Sequence, residues 1–113
     1  MKSFKNDIQR SFPYLFEKWG FEFANLENDY GGNVVVAQSD NLKIRFVHDR
    51  ADFFINIGRV GEPDEWIGFY EIIDQLRAQG MVNTEYSYSN KIRAVSRLLE
   101  QYFPEIQSLF EGS

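Results

Sequence analysis

The chain has 113 residues and no cysteine, which fits one domain with a single core and excludes disulfides, thiolate catalysis, Cys-ligated zinc and iron–sulfur clusters. Twelve basic residues against seventeen acidic ones give a net charge of −5, which repels a phosphate backbone, so no nucleic-acid partner is expected. The start "MKSFKNDIQR" lacks a signal-type apolar run and no stretch approaches the roughly 20 apolar residues of a membrane span, so a soluble cytoplasmic protein without membrane contact is expected.

In chain order, Phe4, Ile8, Phe12, Leu15, Phe16 and Trp19 recur at three- and four-residue spacing and predict an amphipathic helix. Pro13 interrupts that stripe, so a short first helix and a second one starting near Ser11 are expected, with Gly20 as the stop. From Phe21 to Val60 the period becomes two and turn clusters divide the stretch into four strands. They are "FEFANLEND", then "VVVAQ" after the turn "YGGN", then "LKIRFVH" after "SDN", and finally "DFFINIGRV". Alternation places Leu42, Ile44, Phe46 and His48 on one face with Phe53, Ile55 and Ile57, and Lys43, Arg45, Val47, Phe54 and Asn56 on the other.

The only histidine stands at the tip of that hairpin, beside Asp49, Arg50 and Asp52. A general base needs a pocket and an orienting partner, and a metal needs converging ligands. Neighbours in a strand point to opposite sides, so His48 and Asp49 are poorly placed to share one ion. A hairpin tip with a half-buried imidazole is the expectation, and the cluster of His48, Asp49 and Asp52 is kept as an alternative site for a small enzyme.

After the sheet, "GEPDEW" predicts a helix start, with Pro63 in the first turn and Glu62, Asp64 and Glu65 at the positive end of the dipole. Trp66, Phe69, Tyr70, Ile73 and Leu76 mark its apolar stripe and Gly80 its end. The following "MVNTEYSYSN" is the least periodic stretch, and its Tyr86 and Tyr88 suit a binding surface. The last helix carries Ile92, Val95, Leu98, Leu99, Tyr102, Phe103, Ile106, Leu109 and Phe110, with a bend expected at Pro104. "YFPEIQSLF" there echoes "SFPYLFEKW" near the start, as two bent helices wrapping one sheet rather than as a duplication.

Motifs for phosphate loops, nucleophile elbows and catalytic triads are absent, and no catalytic residue, cofactor or metal is expected. The elements add up to an α+β chain of one domain, residues 1–113: an N-terminal helix, a four-stranded antiparallel meander, and two C-terminal helices packed on the sheet. That order, together with "NVVVAQSDNLKIRFVHDRADFFINIG", resembles small uncharacterised bacterial α+β proteins, including immunity proteins that neutralise toxins by binding them. The resemblance implies a non-catalytic protein-binding role and carries over no functional residue. The residues themselves suggest an acidic and aromatic binding surface of Tyr86, Tyr88, Glu62, Asp64, Glu65 and Phe54, suited to a basic protein partner. An alternative is a small-ligand pocket between sheet and helices lined by Trp19, Phe21 and Trp66, with Arg45 or Arg59 fixing an anion. Outward Val35, Val47 and Phe54 leave the second face of the sheet apolar enough for a homodimer, unless the first helix covers it.

Overall fold

The computed structural model describes residues 4–24, 33–80 and 89–111. The first apolar stripe forms α1 (Phe4–Ser11) and α2 (Pro13–Glu17). Proline has no N–H to donate and its ring collides with the preceding turn. The chain therefore leaves helical geometry at Phe12, with φ −125° and ψ 50°, and restarts with Pro13 in the first turn of α2.

Five strands follow among the described residues, all antiparallel and lying in the sheet in chain order: β1 (Glu22–Phe23), β2 (Val34–Gln38), β3 (Leu42–Asp49), β4 (Asp52–Arg59) and β5 (Ile67–Gly68). The helices α3 (Phe69–Ala78) and α4 (Ile92–Glu111) complete the α+β architecture, and α4 continues through Pro104 as one helix. The meander therefore has one strand more than the sequence pattern suggests. Its first strand is only Glu22 and Phe23; most of the remaining "ANLEND" and residues 30–32, where a turn was expected, lie outside the described residues.

Register fixes which face each side chain takes. In the centre of the sheet Phe46 lies between Val35 and Ile55, and Ile44 between Ala37 and Ile57. All six are buried, as are Leu42 and Phe53, so the expected inner face of the hairpin is realised. Val35 was expected outward and instead joins this inner row, while Val34 and Val36 take the outer face. Three consecutive valines carry no parity signal, and only pairing with Phe46 decides between them.

The helices supply the other half of one core. Phe12 packs edge-on to Phe46 with ring centres 5.1 Å apart, and Phe21 and Trp19 meet Phe103 at 5.8 and 4.7 Å. From α3 come Phe69, Ile72, Ile73 and Leu76, all buried, and Gly80 follows with a φ of 74°, the left-handed conformation that ends a helix without a Cβ penalty.

The stretch before α3 departs from expectation. Pro63 and the acidic residues around it are not in a helical turn, because α3 begins only at Phe69. Side-chain bonds hold the segment as a loop instead: the Glu65 carboxylate accepts from the Arg59 backbone N–H at 2.8 Å and from its guanidinium at 2.6 Å, and Lys43 Nζ donates to the Glu62 carbonyl at 2.6 Å. Trp66 is thereby laid over the outer face, its ring centre 4.2 Å from the Lys43 ammonium and 4.6 Å from the Arg45 guanidinium. Two cation–π contacts of that kind give the indole a seat that a helical stripe does not provide.

A polar staple ties α1 and α2 to α4. Tyr14 donates to the Ser96 carbonyl at 2.7 Å, and Ser96 Oγ donates to the Ser11 carbonyl at 2.5 Å. Burial pushes the Tyr14 hydroxyl pKa well above that of a free phenol. Below a pH of about 10 the phenol is neutral folded and unfolded, so its contribution is fully present. Above that, only the unfolded chain releases the proton, and this group alone should cost about 1.4 kcal/mol of stability per pH unit. Urea titrations from pH 9 to 11.5 should show that alkaline limb in the native chain and a shallower one in Tyr14→Phe.

Candidate functional site

An open cleft of about 770 Å³ lies where α1, the β3–β4 hairpin tip and the start of α4 meet. One wall is α1, through Phe4, Asp7, Arg10 and Ser11. The facing wall is the first turns of α4 and the residues before them, through Lys91, Arg93, Ser96 and Arg97. His48, Ala51 and Phe53 close the hairpin end.

Local bonds hold these pieces in place. The hairpin turns through Arg50 and Ala51, and Arg50 takes the left-handed conformation at φ 57°. The Phe53 N–H donates to the Asn90 carbonyl at 3.0 Å, and Asn90 Nδ2 donates to Asp52 Oδ1 at 2.5 Å, which pins the approach to α4 against the tip. At the far end the Ser96–Ser11 bond joins α4 to α1. Phe4 lies between, stacked on His48 at 5.8 Å and edge-on to Phe53 at 6.3 Å.

The electrostatics run opposite to the charge of the whole chain. Arg10, Lys91, Arg93, Arg97 and His48 line the cleft, with Asp7 as the one carboxylate in its wall among the described residues. None of the four permanently charged side chains has an ion-pair partner among the described residues. Arg93 and Arg97 stand four residues apart on one helical face, where like charges repel. No acidic residue lies in the first turn of α4, so Arg93 sits at the positive end of the helix dipole without compensation. The sequence signal for this site was therefore the Lys-x-Arg-x-x-x-Arg spacing of residues 91–97, which the apolar stripe of the same helix obscured.

The residues proposed from sequence are distributed otherwise. Tyr86 and Tyr88 lie outside the described residues. Glu62 and Asp64 are exposed in the β4–β5 loop, and Glu65 is engaged by Arg59. Phe54 is 45% exposed on the outer face, in one row with Val34 and Val47, so the acidic loop and this aromatic stand at different ends of β4. Trp66 does not share a pocket with Trp19 and Phe21, which instead line a small cavity of about 180 Å³ with Phe103. Trp19 and Phe21 pack on Phe103 within the helical layer, whereas Trp66 lies across the opposite face of the sheet with Arg45. Arg59 is held by Glu65 and donates to the Phe110 carbonyl at 3.2 Å.

His48 is exposed rather than half-buried, with Phe4 stacked on one side of its ring. Asp52 is occupied by Asn90, and Asp49 pairs across the turn with Asp52 rather than converging on the imidazole. Among the described residues no group of three His, Asp or Glu side chains is placed to hold a metal ion, and no helix is long and apolar enough to cross a membrane.

No family model, curated protein or solved structure matches the chain.

Proposed function

We propose that this chain is a non-catalytic binding protein whose site is the cleft at the hairpin tip, and that its ligand is anionic. The observation that carries this reading is the convergence of Arg10, Lys91, Arg93 and Arg97 on one cavity of about 770 Å³, without ion-pair partners among the described residues, in a chain of net charge −5. Unmatched cations cost stability through mutual repulsion, and a bound anion relieves that cost. The volume falls in the roughly 300–1,000 Å³ range of small-ligand sites.

Inorganic pyrophosphate is a suitable probe, measured by calorimetry at low and high salt. Binding should weaken as salt rises. Arg93→Glu should lower the affinity at least tenfold while raising the unfolding free energy by about 0.5–1 kcal/mol, since it places an acid at the helix start and opposite Arg97 at the favourable spacing. An Arg93→Glu chain that still binds pyrophosphate as the native one does would remove the cleft as the site.

A second reading is a docking site for a basic protein. It draws on the exposure of Phe54 and Val60, at 45% and 39%, and on the acidic loop next to Val60. Capture of a basic protein undiminished by Arg93→Glu but lost on Phe54→Ser would favour it.

A further inference from the structure

The cleft is not uniform along its length, and its order points to a kind of ligand. The Phe4 and His48 rings stack at the hairpin end, with the Phe53 edge beneath Phe4. At the other end Ser96 Oγ meets the Ser11 carbonyl, and both of those residues have an arginine next to them in the chain, Arg10 and Arg97, that lines the cavity. Asp7 lies between, three residues from Phe4 and three from Arg10 on the same wall. At about 1.5 Å of rise per residue, the aromatic and guanidinium ends of α1 are about 9 Å apart.

Each part has a chemical complement. Exposed aromatic and imidazole faces stack flat heterocycles. A carboxylate lined up with the middle of a cleft repels anions and accepts hydrogen bonds from hydroxyls, as acidic residues do from ribose. Paired guanidiniums suit phosphate oxygens, which they engage in a bidentate manner. An inorganic anion uses only the last of these, and an aromatic acid leaves Asp7 without a donor.

Resting on the anion-binding reading above, we propose that the cleft takes a free nucleotide lengthwise, with its base against Phe4 and His48, its sugar hydroxyls at Asp7 and its phosphates between Arg10 and Arg97. Recognition is by side chains, which accords with the absence of a glycine-rich phosphate loop in the sequence. A longer nucleic acid meets the repulsion of a chain at −5, so the free nucleotide is favoured over a strand end.

Calorimetry on the whole chain with ADP, pyrophosphate, adenosine and a 5′-phosphorylated oligoadenylate tests this. ADP is expected to bind at least tenfold more tightly than pyrophosphate and than the oligonucleotide, with adenosine weakest. His48→Ala, at an exposed position, should reduce ADP affinity at least threefold and leave pyrophosphate unchanged. Phe4→Leu should do the same, with its fold checked by its melting curve. Asp7→Asn should narrow the gap between ADP and 2′,3′-dideoxy-ADP. Equal affinities for ADP and pyrophosphate would overturn the nucleotide proposal and leave the anion site standing. An oligoadenylate tighter than ADP would replace the free nucleotide with a strand end. No binding by any of the four probes would remove both readings.

Discussion

Phe46→Ala should lower the free energy of unfolding by about 4 kcal/mol. The ring is 0% exposed in the middle strand of the sheet, flanked by Val35 and Ile55 and met from above by Phe12 at 5.1 Å. Truncating a fully buried Phe loses both transfer free energy and packing, typically about 3–5 kcal/mol, because rigid neighbours do not collapse into the space. Here those neighbours belong to two different layers, one of strands and one of helices, which restricts relaxation further. Against a total stability of about 5–15 kcal/mol for a domain, the variant should be largely unfolded in mild urea. A loss below about 1.5 kcal/mol in a urea titration, with an unchanged denaturant slope, would mean that Phe46 is not at the contact between the layers.

Gly58→Ala should be nearly as severe, by about 3 kcal/mol, although it adds a single methyl group. A Cβ at this position is driven into the backbone carbonyl of Glu65, with Lys43 Cε also close, at 3.1 Å. Alanine in place of glycine ordinarily gains about 0.4–1 kcal/mol from the unfolded state when the native conformation accepts it. The close approach reverses that sign, since overpacking against fixed backbone costs about 1–3 kcal/mol or more. The loop would have to lift, taking Glu65 from Arg59 and Trp66 from its seat between Lys43 and Arg45. A red-shifted Trp66 emission in a Trp19→Phe background should accompany the loss. Gly68→Ala is the control, because a Cβ there has nothing within 4 Å, and it should stay within about 0.5 kcal/mol of the native chain.

The sequence is most legible where one period runs long enough to be counted. Leu42, Ile44 and Phe46 against Phe53, Ile55 and Ile57 settle the central hairpin, and the stripe from Ile92 to Phe110 settles α4. Pro13 marks the restart of the first helix for a steric reason that holds in any context. Legibility fails where the decisive interaction is not local. Ile67 and Gly68 are too few to show alternation, and they form a strand only because Ile57 and Asn56 offer an open edge. Trp66 fits a helical stripe on spacing alone, and what places it on the other face is a pair of cations more than twenty residues away in the chain. The cleft is the extreme case. Its walls come from residues near both ends of the chain, so that no window of sequence contains Arg10 and Arg97 together.

That separation also sets an order of events. Strands adjacent in the sheet are adjacent in the chain, so each pairing closes a short loop. The bond between Ser96 and Ser11 bridges 85 residues. The entropy lost in closing a loop grows with its length, which makes the α1–α4 seam the last to form and the first to open. On a growing polypeptide the sheet can be complete while α1 waits for a partner that has not been made. The site therefore comes into existence only once α4 is made, and a ligand held between these walls acts as a clasp on the folded domain, slowing the separation of α1 from α4 in proportion to how much ligand is present.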